Sequence, residues 1–562
     1  MAFYDKILGK KQSPARKKQS DLREYYELEL SKAEEKRDGW RASKNDSSSL
    51  YYGTGQNPYK VNLYRSDEDT LRPKLLNRHG KCRVMPRNNE PDVMVKGLAE
   101  CLANVIQEVG RLMNYDEEIR ACNFDARING LAATKIWFDS NRGMPRIENW
   151  NIDDFLVNKE TKYTVRGADW VGFKTKIRYD RFEKRIRDNK GNPDYNAECL
   201  EHIRPTGSSN KIKGYVKREQ YVNVWEIWSK DDGLLWFCEE YKDGLVRHSK
   251  EWPIPFDREC GEFSLATLSY TQESQTFWRY PDFFHRKYIY GKVSKAATHI
   301  MDQMNTGAVK KHIYNKDALG KEGATALASG EEEFIPAKKG DMRNLMYTID
   351  RGGISSAVIE GFNLGKGLSD ELSNVSVELR GGQGKTKSAT EAGIRDEWAN
   401  SRLDDARRVV DNYFLPELFT KIAQYALYFM TDNEGLITRL VGQKLAQYWP
   451  AQPVDPKVVK ETFIIGVEPG STRQSEKSKD KMDSMQYMQS MVPMFMQLGA
   501  GEQAIQAINR VTRAFFPENY ADYEITLEEM QQRVEREKEE QAAQEEAMMQ
   551  EQAAMQAQGG AV

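Results

Sequence analysis

The sequence predicts an α+β protein in which helix predominates, and three observations carry that prediction. Apolar residues recur at three- and four-residue spacing over several long stretches, while period-two alternation is confined to the second quarter of the chain. One helical stretch runs on for about forty residues, longer than an ordinary compact globule uses, and implies an elongated subunit. At 562 residues the chain is long enough to bury a sizeable core and to form several structural regions.

Composition excludes several function classes. Lys plus Arg (83) and Asp plus Glu (85) nearly cancel, so whole-chain charge does not advertise static binding to nucleic acid or to an anionic membrane. Six cysteines show neither CxxC pairing nor zinc spacing and are expected as reduced thiols. The first twenty residues hold no apolar leader core, and no apolar run is long enough to span a bilayer, so a soluble intracellular product without membrane contact is expected. The six histidines are scattered, without HExxH or a Cys/His cluster. DNKGNPDYN, from Asp188, resembles a calcium loop, but Pro193 stands where the turn needs glycine. The paired carboxylates of RSDEDT and NIDDF read as solvated turn acids. The expectation is a non-enzyme with no metal and no cofactor.

The elements follow in order. Residues 15 to 37 mix charges at i,i+4 spacing with Leu22, Tyr26 and Leu30 on one face, an amphipathic helix with a narrow apolar stripe. The polar ASKNDSSSLYYGTGQNPY after it reads as an extended arm or loop. Val93, Leu98, Leu102, Val105, Ile106, Val109 and Leu112 mark a helix, and Ile119 and Phe124 a second one that breaks at Asn129-Gly130. ATKIWFD, DWVGFKTKIRY and YVNVWEIW are strand-like, and Asp232-Gly233 and Asp243-Gly244 mark turns leading to LLWFCEEY and LVRHS. FFHRKYIYGKVSKAATHIMDQM is a helix ended by Gly307. A compact insert comes next, with the strand VKKHIYNK, a short helix in GKEGATALASG and the strand EEEFIPA; Leu368, Leu372, Val375 and Leu379 then mark a returning helix. Another helix carries Ile394, Trp398, Leu403, Ala406, Val410, Phe414, Ile422, Tyr425 and Phe429, with a kink expected at Pro416 and its end near Thr431. The Met cluster from Met482 to Met496 reads as packing surface. The Gln/Glu/Ala-rich tail is either an unfolded extension or a helix packed shallowly on copies of itself.

Between the last two long helices stands GGQGKTKSATE, residues 381 to 391. Gly384, Lys385 and Thr386 match the end of a phosphate-binding loop, but Leu379 occupies the place of its first glycine and a helix precedes it in place of a strand. Ser388 and Glu391 form a capping box that starts the next helix, whereas Gly381, Gly382 and Gly384 free the backbone ahead of it. Arg380, Lys385 and Lys387 read as solvated charge in one chain; repeated around a ring axis they become candidate DNA contacts.

This order of helix, insert, returning helix, glycine-rich basic loop and long helix resembles the portal proteins of tailed bacteriophages. The nearest motif is GGQGKTKSATEAGIRDEW, similar to that family's glycine-rich run into a helix, and RLMNYDEEIRACNFDARINGLAATKIWFD is similar to its wing. The resemblance covers roughly residues 70 to 560; ENWNIDDFLVNKE departs from it by lacking an Asp-Pro step. It implies an elongated subunit with an N-terminal helix and arm (1–69), an α+β wing (70–282), a stem helix (283–306), a clip (307–350), a returning stem helix (351–380), a tunnel loop (381–389), a wing spine helix (390–431), a crown-proximal region (432–515) and a helical crown or tail (516–562). It further implies a homo-oligomeric ring of about twelve copies at one capsid vertex, the channel for double-stranded DNA in packaging and ejection. Implied partners are the major capsid protein, the terminase large subunit and head-completion or tail adaptor proteins; the location is the virion, after assembly in the host cytoplasm. Glu331, Glu332 and Glu333, in the clip, become candidates for motor docking. The sequence also raises a P-loop packaging ATPase, opposed by Leu379, and a coiled-coil scaffold or adaptor, opposed by the strand-rich middle.

Overall fold

Helix α1, Pro14–Tyr52, is the first element and one of the longest, roughly 58 Å at 1.5 Å per residue. Arg23, Tyr26, Leu30, Ala33, Arg37, Trp40, Lys44, Ser47 and Tyr51 are buried in alternating steps of three and four residues, with Ser43 buried beside Lys44. That 3.5-residue period keeps one stripe against the body along the helix. Polar members of the stripe find partners: the Tyr26 hydroxyl donates to Asp232 at 2.8 Å, Arg37 to the Asp153 carbonyl at 2.8 Å, and the Trp40 indole to the Arg279 carbonyl at 2.8 Å. The helix corrects the expected loop from Ala42 onward. SKNDSSS is a poor helix former, but Ser47 bonds the Tyr64 hydroxyl at 2.9 Å and Tyr51 donates to Asp69 at 2.6 Å, so tertiary contacts override propensity.

The computed structural model describes residues 14–54, 62–76, 80–89, 91–207, 209–212, 215–218, 220–271, 276–307, 311–314, 346–349, 356–373, 403–431 and 433–468, with a few isolated positions besides. Two compact units divide the chain, Met1–Arg473 and Gln474–Val562. Every element named below belongs to the first. The fold class is α+β with helix predominant.

Helix α2, Leu63–Leu75, is capped by Asn62, which accepts from the Arg65 amide at 3.0 Å. Strand β1, Cys82–Pro86, leads to α3, Val93–Leu112, and α4, Tyr115–Ile128, both where the periodicity placed them. Leu102, Val105, Ile106, Val109 and Ile119 are buried, whereas Val93 and Leu112, at the ends of α3, face outward. Strands β2 (Ala132–Asp139) and β3 (Met144–Trp150) form a sheet completed by β11 (Leu265–Leu268) on the other side of β2. Strands β4 (Phe155–Val157), β5 (Trp170–Arg178), β8 (Tyr221–Ser229), β9 (Gly233–Cys238) and β10 (Arg247–Ser249) form an antiparallel sheet in the order β10-β9-β8-β5-β4. Gly233, at φ +85°, makes the expected turn between β8 and β9. Helix α5, Tyr179–Asp188, and a two-stranded ribbon, β6 (Ser209–Ile212) with β7 (Tyr215–Arg218), lie between β5 and β8 in the chain.

Helix α6, Phe283–Gly307, ends at the expected glycine. The strand β12, Lys311–Tyr314, pairs antiparallel with β13, Met346–Ile349, and α7, Ser356–Ser373, returns along α6. The strand expected in EEEFIPA lies outside the described residues. Gly365 lets the two helices close: a Cβ there would sit 2.7 Å from a methyl of Val293.

The long helix after the loop is described from residue 403 onward. Its expected disturbance at Pro416 takes the form of a π turn, Val410–Phe414, running straight into α8, Leu415–Phe429. Proline has no N–H to give the fourth residue back, and the wider turn accommodates that loss. Nearly every side chain of α8 from Leu415 to Leu427 is buried, so this segment is a core helix and not a surface spine. Helices α9 (Glu434–Val441) and α10 (Pro456–Thr462) lead to β14, Phe463–Val467, which pairs antiparallel with β1.

Candidate functional site

The best-built constellation sits where α6 leaves the body. Asp67 and Glu68 come from α2, Arg127 from the end of α4, Asp282 from the residue ahead of α6, and Arg286 and Tyr290 from its first two turns. Arg127 grips Glu68 with two donors, Nε at 2.9 Å and Nη2 at 2.7 Å, and Glu68 has no exposed surface. The same guanidinium stands 3.5 Å from Asp282, which Arg286 also pairs, and Arg286 lies 3.8 Å from Glu68. Arg286 donates to the Tyr290 hydroxyl at 3.2 Å, and Tyr290 donates in turn to fully buried Asp67.

Three elements far apart in sequence are therefore joined by ions of which Asp67, Glu68, Arg127 and Arg286 are buried and Asp282 is half-buried. Burial alone would raise the Asp282 carboxyl, but Arg286 and Arg127 outweigh it and hold Asp282 below the usual carboxylate range. Burial likewise disfavours charge on Arg127, and Glu68 and Asp282 more than compensate, so it stays a cation. A network of this kind contributes little net stability against an apolar replacement, yet it is costly to break one member at a time. Its physical effect is to fix one position for the root of α6. RSDEDT, expected as solvated acids, is corrected here: Asp67 and Glu68 are helical and fully buried, Glu68 under Arg127 and Arg286 and Asp67 under the Tyr290 hydroxyl, all from other elements. In NIDDF, Asp153 is half-buried and pairs with Lys44 and Arg41 of α1.

A second feature is a cleft of about 830 Å³ beside the π turn. Its lining includes Val165, Arg166, Gly261, Tyr413, Lys421 and Lys460. Lys421 is buried and donates to the carbonyls of Phe263 and, at 2.7 Å, Leu265, with Glu417 at 3.6 Å. Burial lowers its pKa and Glu417 opposes that shift. Among the described residues the cleft lining includes neither histidine nor cysteine. Among the described residues no group of three or more His, Cys, Asp or Glu is placed to hold a metal.

Arg380, Lys385, Lys387, Gly381, Gly382, Gly384, Ser388 and Glu391, and likewise Glu331, Glu332 and Glu333, all lie outside the described residues. The ionic joint was missed from sequence. Its one local signal is the i,i+4 pair Asp282 and Arg286 astride the start of a helix. No protein-family model matches the chain, and no curated protein matches it.

Proposed function

We propose that this chain is a structural portal subunit of a tailed-phage capsid, assembling with copies of itself into a ring around a DNA channel. The observation that carries the reading is the helical pair α6 and α7 with its β12–β13 strand pair. Tyr288 (72% exposed), Met301, Ile359, Leu364 (68%) and Leu368 all leave large apolar side chains uncovered on these two helices. A lone chain has no use for that surface, whereas neighbours around an axis cover it from both sides. The ionic joint supports the same reading, because a helix pair that packs mainly on neighbours needs its root held by its own body. In this reading double-stranded DNA passes along the axis, and the packaging ATPase, capsid protein and tail adaptors are separate chains. The broken phosphate loop is consistent with a motor that lies elsewhere.

Native mass measurement and negative-stain imaging of the purified chain test it. The expected result is a closed ring of about a dozen copies with a central hole. A stable monomer under all conditions, or ATP hydrolysis that depends on Lys385, overturns it.

A further inference from the structure

The near-zero charge of the whole chain conceals a segregated basic lobe. Residues 174 to 218 hold 13 Lys and Arg against 6 Asp and Glu, a net +7 inside a chain of net −2. The fold gathers this segment at one end of the five-stranded sheet. Arg178, at the end of β5, is in register with Tyr221 at the start of β8. Thr206 bridges to the same Tyr221, placing the root of the β6–β7 ribbon there, and the first amide of α5, Tyr179, donates to the Gln220 carbonyl at 2.8 Å. The start of α5, the end of β5 and the root of the ribbon thus converge.

Most acids of α5 are already answered within the lobe. Arg178 pairs with Asp180 at 2.7 Å and Arg187 with Glu183 at 2.5 Å. Lys176, Arg181, Lys184, Arg185, Lys190 and Arg204 are exposed. Arg185 is held flat, 4.2 Å over the Trp236 ring. The ribbon adds Lys211, Lys217 and Arg218 at strand positions, and no acid occurs from Arg204 to Arg218.

We infer that this lobe binds the phosphate backbone of a nucleic acid duplex. From Lys174 to Gly207 no large apolar side chain is exposed, so this part of the lobe lacks the anchors that a protein interface core or a membrane-inserted face needs. A polyelectrolyte needs only charge, because each neutralised phosphate releases counterions. A two-stranded ribbon also matches the width of a DNA major groove. The inference does not rest on the portal reading, and it concerns a surface other than the basic loop at 380–387.

Binding of relaxed, covalently closed circular DNA tests it, since a closed circle cannot thread a closed ring. With about six phosphate contacts, affinity should fall roughly a thousandfold between ~50 and ~200 mM salt. The triple variant Arg181→Glu, Lys184→Glu, Arg204→Glu should bind at least tenfold more weakly and lower the salt slope by about 3. The ribbon variant Lys211→Glu, Lys217→Glu should weaken binding in the same direction, and both should melt like the wild type. The loop variant Arg380→Glu, Lys385→Glu, Lys387→Glu should bind the circle undiminished. Unchanged affinity and slope in both lobe variants, loss of binding in the loop variant alone, or equal retention of polyglutamate or anionic vesicles would each overturn the assignment.

Discussion

Replacing Arg127 by Met should destabilise the protein far more than its single side chain suggests. The guanidinium makes two charge-assisted hydrogen bonds to Glu68, at 2.9 and 2.7 Å, and the carboxylate has no solvent to fall back on. Removing one partner of such a buried pair costs about 3–5 kcal/mol, most of it from the charge left behind. Arg286 remains 3.8 Å from Glu68, so the loss should fall near the lower end, about 3 kcal/mol. Changing both residues, Arg127→Met with Glu68→Met, removes the stranded charge, and the double variant should return to within ~1–2 kcal/mol of the wild type. Urea unfolding followed by circular dichroism gives all corners of this cycle. Hydrogen exchange adds a local readout: amides of Phe283 to Tyr290 should open faster in Arg127→Met, while those of β8 stay protected. A single variant costing under ~1 kcal/mol, or a double variant as unstable as the sum of its parts, would refute the joint as described.

Two further outcomes follow from the same region. Because the folded-state pKa of Asp282 is depressed, its contribution is complete above the unfolded value near ~4 and is lost as pH falls through the folded value. Asp282→Asn should therefore flatten the acid limb of a plot of melting temperature against pH, and a limb identical to that of the wild type would contradict the assignment. Gly130 adopts φ +86°, and a Cβ there would lie 2.3 Å from the Arg279 carbonyl oxygen and 2.6 Å from the Pro281 nitrogen, in the segment that feeds α6. Gly130→Ala should cost at least ~2 kcal/mol in unfolding experiments, whereas Gly191→Ala, where a Cβ meets open space, should cost little.

What could be read from the sequence was what neighbours in the chain decide. The helices at Val93–Leu112 and Tyr115–Ile128, the strands β2, β5, β8, β9 and β10 with the Asp-Gly turn between β8 and β9, and the end of α6 at Gly307 all announce themselves within a few residues. The extension of α1 to Tyr52 does not, because Ser47 and Tyr51 are stabilised by Tyr64 and Asp69 across a turn of the chain. Nor does the pairing of β1 with β14, whose partners are separated by most of the chain: Met85 meets Ile464 through backbone bonds that carry no sequence signature. Buried acids are the hardest case. Asp67 and Glu68 look like any solvated pair until Tyr290 is brought over the first and Arg127 and Arg286 over the second.

The same reasoning explains why whole-chain charge is a poor guide to local charge. A net charge of −2 is the sum of regions with different tasks. At the joint, Glu68, Arg127 and Arg286 are withdrawn from water and, with half-buried Asp282, pair over 2.7 to 3.8 Å, so they act mainly on one another and contribute position. On the lobe, cations of one sign remain exposed at the end of a sheet, and their field extends about a Debye length, ~8 Å, into physiological salt. Moving the joint residues to the surface would not change the total, yet it would abolish the fixed root of α6. Neutralising the lobe would leave the fold intact and remove the attraction. Because the two sets act through separate physics, mutating one should leave the other's readout unmoved: Arg127→Met should alter urea unfolding without changing the salt slope of DNA binding, and Arg181→Glu the reverse.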